Sequence, residues 1–382
     1  LTPILKEINK KQTLNIKLLI MAKEKSVINK ENFDSSREPM YFGRPLNLQR
    51  YDRPRYKAIL GFFKEQISFF WRPEEIDLTN ETSDWAKLTD AQKHIFLKNL
   101  SYQILLDSVQ GRGIGNIIEH TSNPEIEAFG RWWESMEVMH SYSYSWLIMN
   151  LFPNPSQIFD EILNDKEILK RASSVTKYYD NLIEEAGKGG SIDDLKKQFY
   201  LTLVSINILE GIRFYVSFAC AYGFAERKLM EGNAKIIQLI QRDENLHLGF
   251  TQFVLRKLRE EPSEGFQHIV KECEPIVIQM YKDAAQEEIE WADYLFKDGE
   301  MIGLNSEILK KYMIYLTNRR TKAIGLEPIF EKEKNPIPWI KNWTDSKSIQ
   351  VAPQETEISS YVIGSVDNNI GKANFNDLGD LL

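Results

Sequence analysis

The chain has 382 residues, 42% hydrophobic and 27% charged, with a formal net charge of −7. That length can bury one large core or two ordinary ones, and the acidic balance argues for a soluble protein and against the basic face of a nucleic-acid binder. Two cysteines, Cys220 and Cys273, are too few for a disulfide framework and fit a reducing, cytoplasmic setting, and no apolar run of roughly 18 residues marks a membrane span.

Residues 1–20 carry four lysines among scattered leucine and isoleucine, without a signal-peptide core or cleavage site. Met21 is the expected natural start, and residues 1–37 are expected to be a disordered extension. Residues 22–51 are polar, with Pro39 and Pro45 breaking any helix. Leu60, Phe63, Ile67 and Phe70 recur at spacings of three and four, predicting one apolar helix face that ends near Trp71. Thr89 and Gln92 form a capping-box pair, opening a helix that runs through Asp107 to the glycines at 111–115. Asn123 followed by Pro124 opens another, running to about Leu151. Further long helices are predicted over 192–224, 231–260, 264–296 and 305–323, with shorter ones over 155–163 and 166–186.

The last 50 residues change character. NPIPWIKNW is broken by proline, and residues 351–382 carry five acids, one lysine and several glycines. The reading is a helical domain over 38–345 and a flexible tail over 346–382, whose scattered apolar residues fit a partner-binding peptide.

Two segments read Glu-x-x-His: Glu137–His140 and Glu244–His247. Asp107 lies 30 residues before the first and Glu210 lies 34 before the second, each on an apolar helical stretch. Residues three apart on a helix share a face, so each pair delivers an oxygen and a nitrogen to one side. A buried carboxylate without compensation costs several kcal/mol, so the lone acids need a cation or a partner. One carboxylate from each of two helices, with Glu-x-x-His from each of two others, is the ligand pattern of dinuclear carboxylate sites in ferritin-like bundles. The fold expected is therefore all-α and ferritin-like, with oxygen and nitrogen ligands suiting iron or manganese over structural zinc. His94, His120 and His268 lack such a setting and read as surface or satisfied core histidines.

Tyr144 lies four residues after His140, one turn along the same face. Phe214 and Phe218 follow Glu210 by four and eight residues, and Ile240 precedes Glu244 by four. If the ligands converge, these apolar side chains converge near Tyr144. Core packing alone would use the same residues.

Taken in order, EPMYFGRPLNLQRYD, SFFWRPEE, NLSYQILLDSVQGR, EVMHSYSY, ILEGIRFYVSFAC, FAERKLMEGNAKIIQLIQRDENLHL, WADYLFKDGEMIGLN, NPIPWI and VAPQETEISSY resemble the small, radical-generating subunit of class I ribonucleotide reductase, of the aerobic bacterial or phage type. The resemblance covers about residues 38–365. It implies that Asp107, Glu137, His140, Glu210, Glu244 and His247 bind two iron ions, with manganese or a mixed pair as alternatives. It implies that Tyr144 carries a stable radical made with O2, and that Phe214, Phe218 and Ile240 line its pocket. Trp71 and Asp243 match the link from the metal, through His140, towards the large subunit. Tyr361 matches the relay tyrosine at the subunit interface, and Glu355 a nearby acid. The extreme C-terminus matches in role, docking on the large subunit, and a homodimer is implied. No nucleotide-phosphate loop is present, so the chain would be half an enzyme.

The sequence departs from the family in a second ring, Tyr142, near Tyr144, in a short connection over 185–193, and in its acidic final residues. The rival readings are an O2-dependent oxidase or hydroxylase on the same fold, and an iron-storage bundle. The first usually carries Glu where Asp107 stands, and neither needs the Tyr361 tail.

Overall fold

The structure is a computed structural model that describes residue 27 and residues 29–344. Met21, Glu355, Tyr361 and the tail over 346–382 lie outside the described residues. The helices in chain order are α1 (Lys57–Ser68), α2 (Glu81–Lys87), α3 (Asp90–Ile118), α4 (Pro124–Leu151), α5 (Pro155–Ile162), α6 (Lys166–Lys188) and α7 (Ile192–Ile208). A π-helical turn, Leu209–Arg213, joins α7 to α8 (Tyr215–Ala225). Then come α9 (Glu231–Glu260), α10 (Gln267–Leu295), α11 (Ser306–Ala323) and the single turn α12 (Lys341–Thr344). Among the described residues the only β pairing is two isolated bridges, Tyr41 with Thr121 and Met301 with Leu304.

The long helices α3, α4, the α7–α8 pair and α9 enclose one continuous core that includes Leu106, Tyr144, Phe218 and Ile240. The stretch Ile192–Ala225 is long and apolar enough to cross a membrane, but from Phe199 to Ala225 it is buried inside this bundle, and only its first turns reach the surface. Its apolar character is that of a central helix surrounded by protein on every side.

Several boundaries differ from the sequence reading. α1 buries Ile59, Phe62 and Gln66, whereas Ile67 and Phe70 are exposed. The face was misplaced because its buried stripe includes a polar residue. The helix stops at Ser68, so Trp71 sits in the connection that follows. α3 opens with the reciprocal Thr89–Gln92 capping box, then runs past the glycines to Ile118. Those glycines admit neighbours: a Cβ on Gly111 would meet Glu137 Cβ at 3.2 Å, and one on Gly113 would lie 2.3–2.8 Å from the Tyr179 ring. Asn123 holds the N-cap position of α4 without capping it; its amide donates to the Pro39 carbonyl at 2.9 Å.

Residues 29–37, expected to be disordered, are folded. Asp34 caps a short 3-10 turn, Ser35–Arg37, and Asn29 Nδ2 donates to the Pro45 carbonyl.

α2, which no apolar periodicity announced, fixes the start of α9. Glu81 Oε1 accepts from the Gly232 and Asn233 amides at 2.8 and 3.3 Å, and Asp84 Oδ2 accepts from the Met230 amide at 3.1 Å. Two carboxylates thus serve the unpaired N–H groups and positive dipole end of a helix that carries site residues.

Candidate metal centre

Asp107 comes from α3, Glu137 and His140 from α4, Glu210 from the π turn, and Glu244 and His247 from α9. All six have zero exposure. Their ligand atoms form two overlapping groups, each within 4.8 Å: Asp107, Glu137, His140 and Glu244; and Glu137, Glu210, Glu244 and His247. Glu137 and Glu244 belong to both groups, the arrangement required of bridging carboxylates.

The two imidazoles are oriented alike. His140 Nδ1 faces Glu244 Oε1 at 3.1 Å and Glu137 Oε2 at 3.6 Å, while its Nε2 meets Asp243 Oδ2 at 3.1 Å. His247 Nδ1 faces Glu244 Oε2 at 2.9 Å and Glu137 Oε1 at 3.5 Å. Its Nε2 lies 2.9 Å from Gln66 Nε2, while Gln66 Oε1 has no partner. A His247 bound to metal through Nδ1 carries its proton on Nε2, and turning the Gln66 amide over then pairs both groups. Each ligand imidazole is thus held through its outer nitrogen.

The donor set fits two divalent cations. Both Asp107 oxygens, Glu137 Oε2, His140 Nδ1, Glu210 Oε2 and Glu244 Oε1 are buried without a hydrogen-bond partner. Each such atom costs roughly 1–3 kcal/mol if left unmet. Four carboxylates also balance the charge of two divalent ions. Without ions the electrostatics are adverse. Burial, then the charges of Glu137 and Glu244, push Asp107 well above the ordinary carboxylate range. Burial and then Glu244 do the same to Glu210. Burial opposes ionisation of Glu244, but His140 overcomes it and holds that carboxyl low.

Tyr144 is fully buried, and its hydroxyl has no hydrogen-bond partner. Burial, then Asp107 and Glu244, hold its pKa well above the usual phenol value, so the phenol keeps its proton. Phe214, Phe218 and Ile240 are buried, and the two phenyl rings stack at 5.7 Å. Trp71 is also buried, and its Nε1 donates to Asp243 Oδ2 at 2.9 Å. Asp243 is fully buried. Tyr142 points outward: it is 42% exposed and donates to Glu74 Oε1 at 2.7 Å.

Sequence reasoning missed four neighbours. Trp133 Nε1 donates to Glu137 Oε1 at 2.7 Å, and its ring stacks on His247 at 4.7 Å. Gln66 meets His247, Gln110 Nε2 donates to Glu210 Oε1 at 2.5 Å, and Tyr179 donates to Gln110 Oε1 at 2.5 Å. Trp133 lies four residues before Glu137 and Gln110 three after Asp107, so ligand-face spacing could have found both. Nothing in the spacing marks Tyr179.

Comparison with known proteins agrees with this geometry. The family described as "Ribonucleotide reductase, small chain" matches residues 49–336. The ribonucleoside-diphosphate reductase subunit beta of Buchnera aphidicola is 47% identical over 369 residues, covering 92% of this chain and 98% of the relative. Ribonucleoside-diphosphate reductase 1 subunit beta of Escherichia coli O157:H7 is 46% identical, covering 88% and 94%. The structure of the ribonucleotide reductase R2 subunit from Clostridium botulinum superposes with a TM-score of 0.75 at 30% identity, covering 84% of this chain and 98% of that one.

Proposed function

The chain belongs to the ribonucleotide reductase small-chain family, and from that premise we propose that it makes a tyrosyl radical on Tyr144 and exports the oxidising equivalent to its large subunit. It is the small subunit of a ribonucleoside-diphosphate reductase, active together with that large subunit. The observation that carries the radical reading is Tyr144, buried beside six converging metal-ligand side chains and facing Asp107.

Asp107 and His140 would hold one metal ion and Glu210 and His247 the other, with Glu137 and Glu244 within reach of both. Two iron ions with O2 would supply the one-electron oxidation of Tyr144; manganese or a mixed pair suits the same oxygen and nitrogen donors. A phenol that loses an electron becomes a neutral radical only if its proton leaves too. Asp107, the first charge acting on the phenol, is placed to take it. Phe214, Phe218 and Ile240 exclude water, which preserves the radical.

Export uses the Trp71–Asp243–His140 link, and then Tyr361 with Glu355 on the tail. As a cysteine of the large subunit gives up a hydrogen atom, Tyr144 regains its electron and proton, and the cysteine radical so formed starts ribonucleotide reduction on the large subunit. The tail docks this chain on the large subunit, two copies of the chain form a homodimer, and the free cysteines Cys220 and Cys273 fit the cytosol.

Reconstitution tests the reading. Deoxyribonucleotide formation should require both subunits, and Tyr361→Phe should abolish it while leaving the radical. Turnover by this chain alone, or full turnover in Tyr361→Phe, contradicts it.

A further inference from the structure

Glu210 is held by neighbours that decide which of its oxygens faces the metal position. Its Oε1 accepts from Gln110 Nε2 at 2.5 Å, while Oε2 is buried without a partner. Gln110 Oε1 in turn accepts the Tyr179 hydroxyl at 2.5 Å. An ionised carboxylate only accepts, so Glu210 takes the Gln110 NH2, and the Tyr179 hydroxyl, which can donate or accept, gives its proton to the amide oxygen and holds that orientation. The NH2 group is thereby turned towards Glu210. All three side chains are buried, and the Tyr179 ring rests where only a glycine, Gly113, leaves room. The backbone of the same turn is held from another side. Arg320 Nε donates to the Gly211 carbonyl at 3.1 Å, with its guanidinium over the Tyr215 ring at 5.0 Å. The turn is π-helical, a rare form that appears mostly as single turns inside α-helices, frequently at functional sites.

We propose that Tyr179 and Gln110 are a positioning pair that keeps Glu210 a one-oxygen ligand, presenting Oε2 to the metal position shared with Glu137, Glu244 and His247. The pair sets the affinity of that position separately from the one at Asp107 and His140. A carboxylate without it is free to rotate, and the ordering it needs to bind must then come from the metal–ligand interaction itself. This rests on the dinuclear reading of the site.

The test is titration of metal-free full-length protein with Mn2+ alone, following unbound Mn2+ by electron paramagnetic resonance. The wild type takes up two ions per chain. Tyr179→Phe keeps the ring and its packing, so the first ion binds as in the wild type and the second binds about 10- to 100-fold more weakly. Gln110→Met, which keeps the side-chain length, behaves the same way. Wild-type affinity for both ions in both variants overturns the pairing. So does equal weakening of both ions, which is what general loosening of the bundle produces. A wild type that takes up fewer than two ions removes the dinuclear reading itself, an outcome distinct from unchanged variants on a two-ion wild type.

Discussion

Trp71 and His140 are tied to one and the same oxygen atom, Asp243 Oδ2, at 2.9 and 3.1 Å, and all three side chains have zero exposure. Their rings lie 6.4 Å apart and are inclined by only 25°. A ligand imidazole is thus joined by two hydrogen bonds to an indole that lies beyond the end of α1. The same carboxylate fixes His140 with Nδ1 towards the cluster.

Trp71→Phe keeps an aromatic ring but removes the donor to Asp243. We expect deoxyribonucleotide formation with the large subunit to fall at least about 100-fold, a loss of roughly 3 kcal/mol in transition-state terms. The Tyr144 radical signal should persist. Paired measurement of turnover and radical content checks this, and near-normal turnover would take Trp71 out of the export route.

Trp133→Phe removes the 2.7 Å donor to Glu137 Oε1 while leaving a ring against His247. Loss of such an outer hydrogen bond lowers metal affinity by about 10-fold. Competition against a chelator of known affinity reads the change. An unaltered affinity would show that Glu137 is positioned without Trp133.

Removing the ions should destabilise the bundle. The six side chains converge only in the folded chain, so ions held there at about 1,000 times Kd would contribute up to roughly 4 kcal/mol. Its removal also exposes the mutual repulsion of four carboxylates, which burial and neighbouring charge already push upward at Asp107, Glu137 and Glu210. Calorimetry with and without chelator should show Tm falling by several degrees. Equal Tm values would contradict a structural share for the centre.

The convergence of the six candidate ligand side chains was legible in the sequence because α-helical spacing puts Glu137 with His140, and Glu244 with His247, on shared faces. The helices were legible too, from capping residues such as Thr89 and from apolar periodicity. The π turn under Glu210 was not, since one extra residue in a helical turn leaves no mark in an apolar stretch. The buried face of α1 was misread because Gln66 is polar, and its burial makes sense only with His247 opposite, 181 residues away. Gly111 and Gly113 looked like a helix stop, but they are the places where Glu137 and the Tyr179 ring come close.

Away from the metal, Glu288 is fully buried and burial raises its pKa from 4.5 to about 7. Its Oε1 accepts the Tyr102 hydroxyl at 2.6 Å, with Arg213 Nη1 at 3.6 Å. A carboxyl with a raised folded pKa keeps its proton in the fold while the unfolded chain releases it. Its contribution is therefore full below about pH 4.5, falls as pH climbs towards 7, and is level above. The whole effect is at most about 3 kcal/mol. Glu288→Gln, neutral throughout, should lose that slope. Denaturant midpoints of both proteins between pH 5 and about 8 check it, and parallel curves would contradict it.

The most direct measurement is electron paramagnetic resonance of the metal-free protein loaded with ferrous iron and exposed to O2. A tyrosyl doublet is expected that narrows when the chain carries ring-deuterated tyrosine and is absent in Tyr144→Phe. An undiminished doublet in Tyr144→Phe, or no radical in the wild type with either iron or manganese, would contradict it.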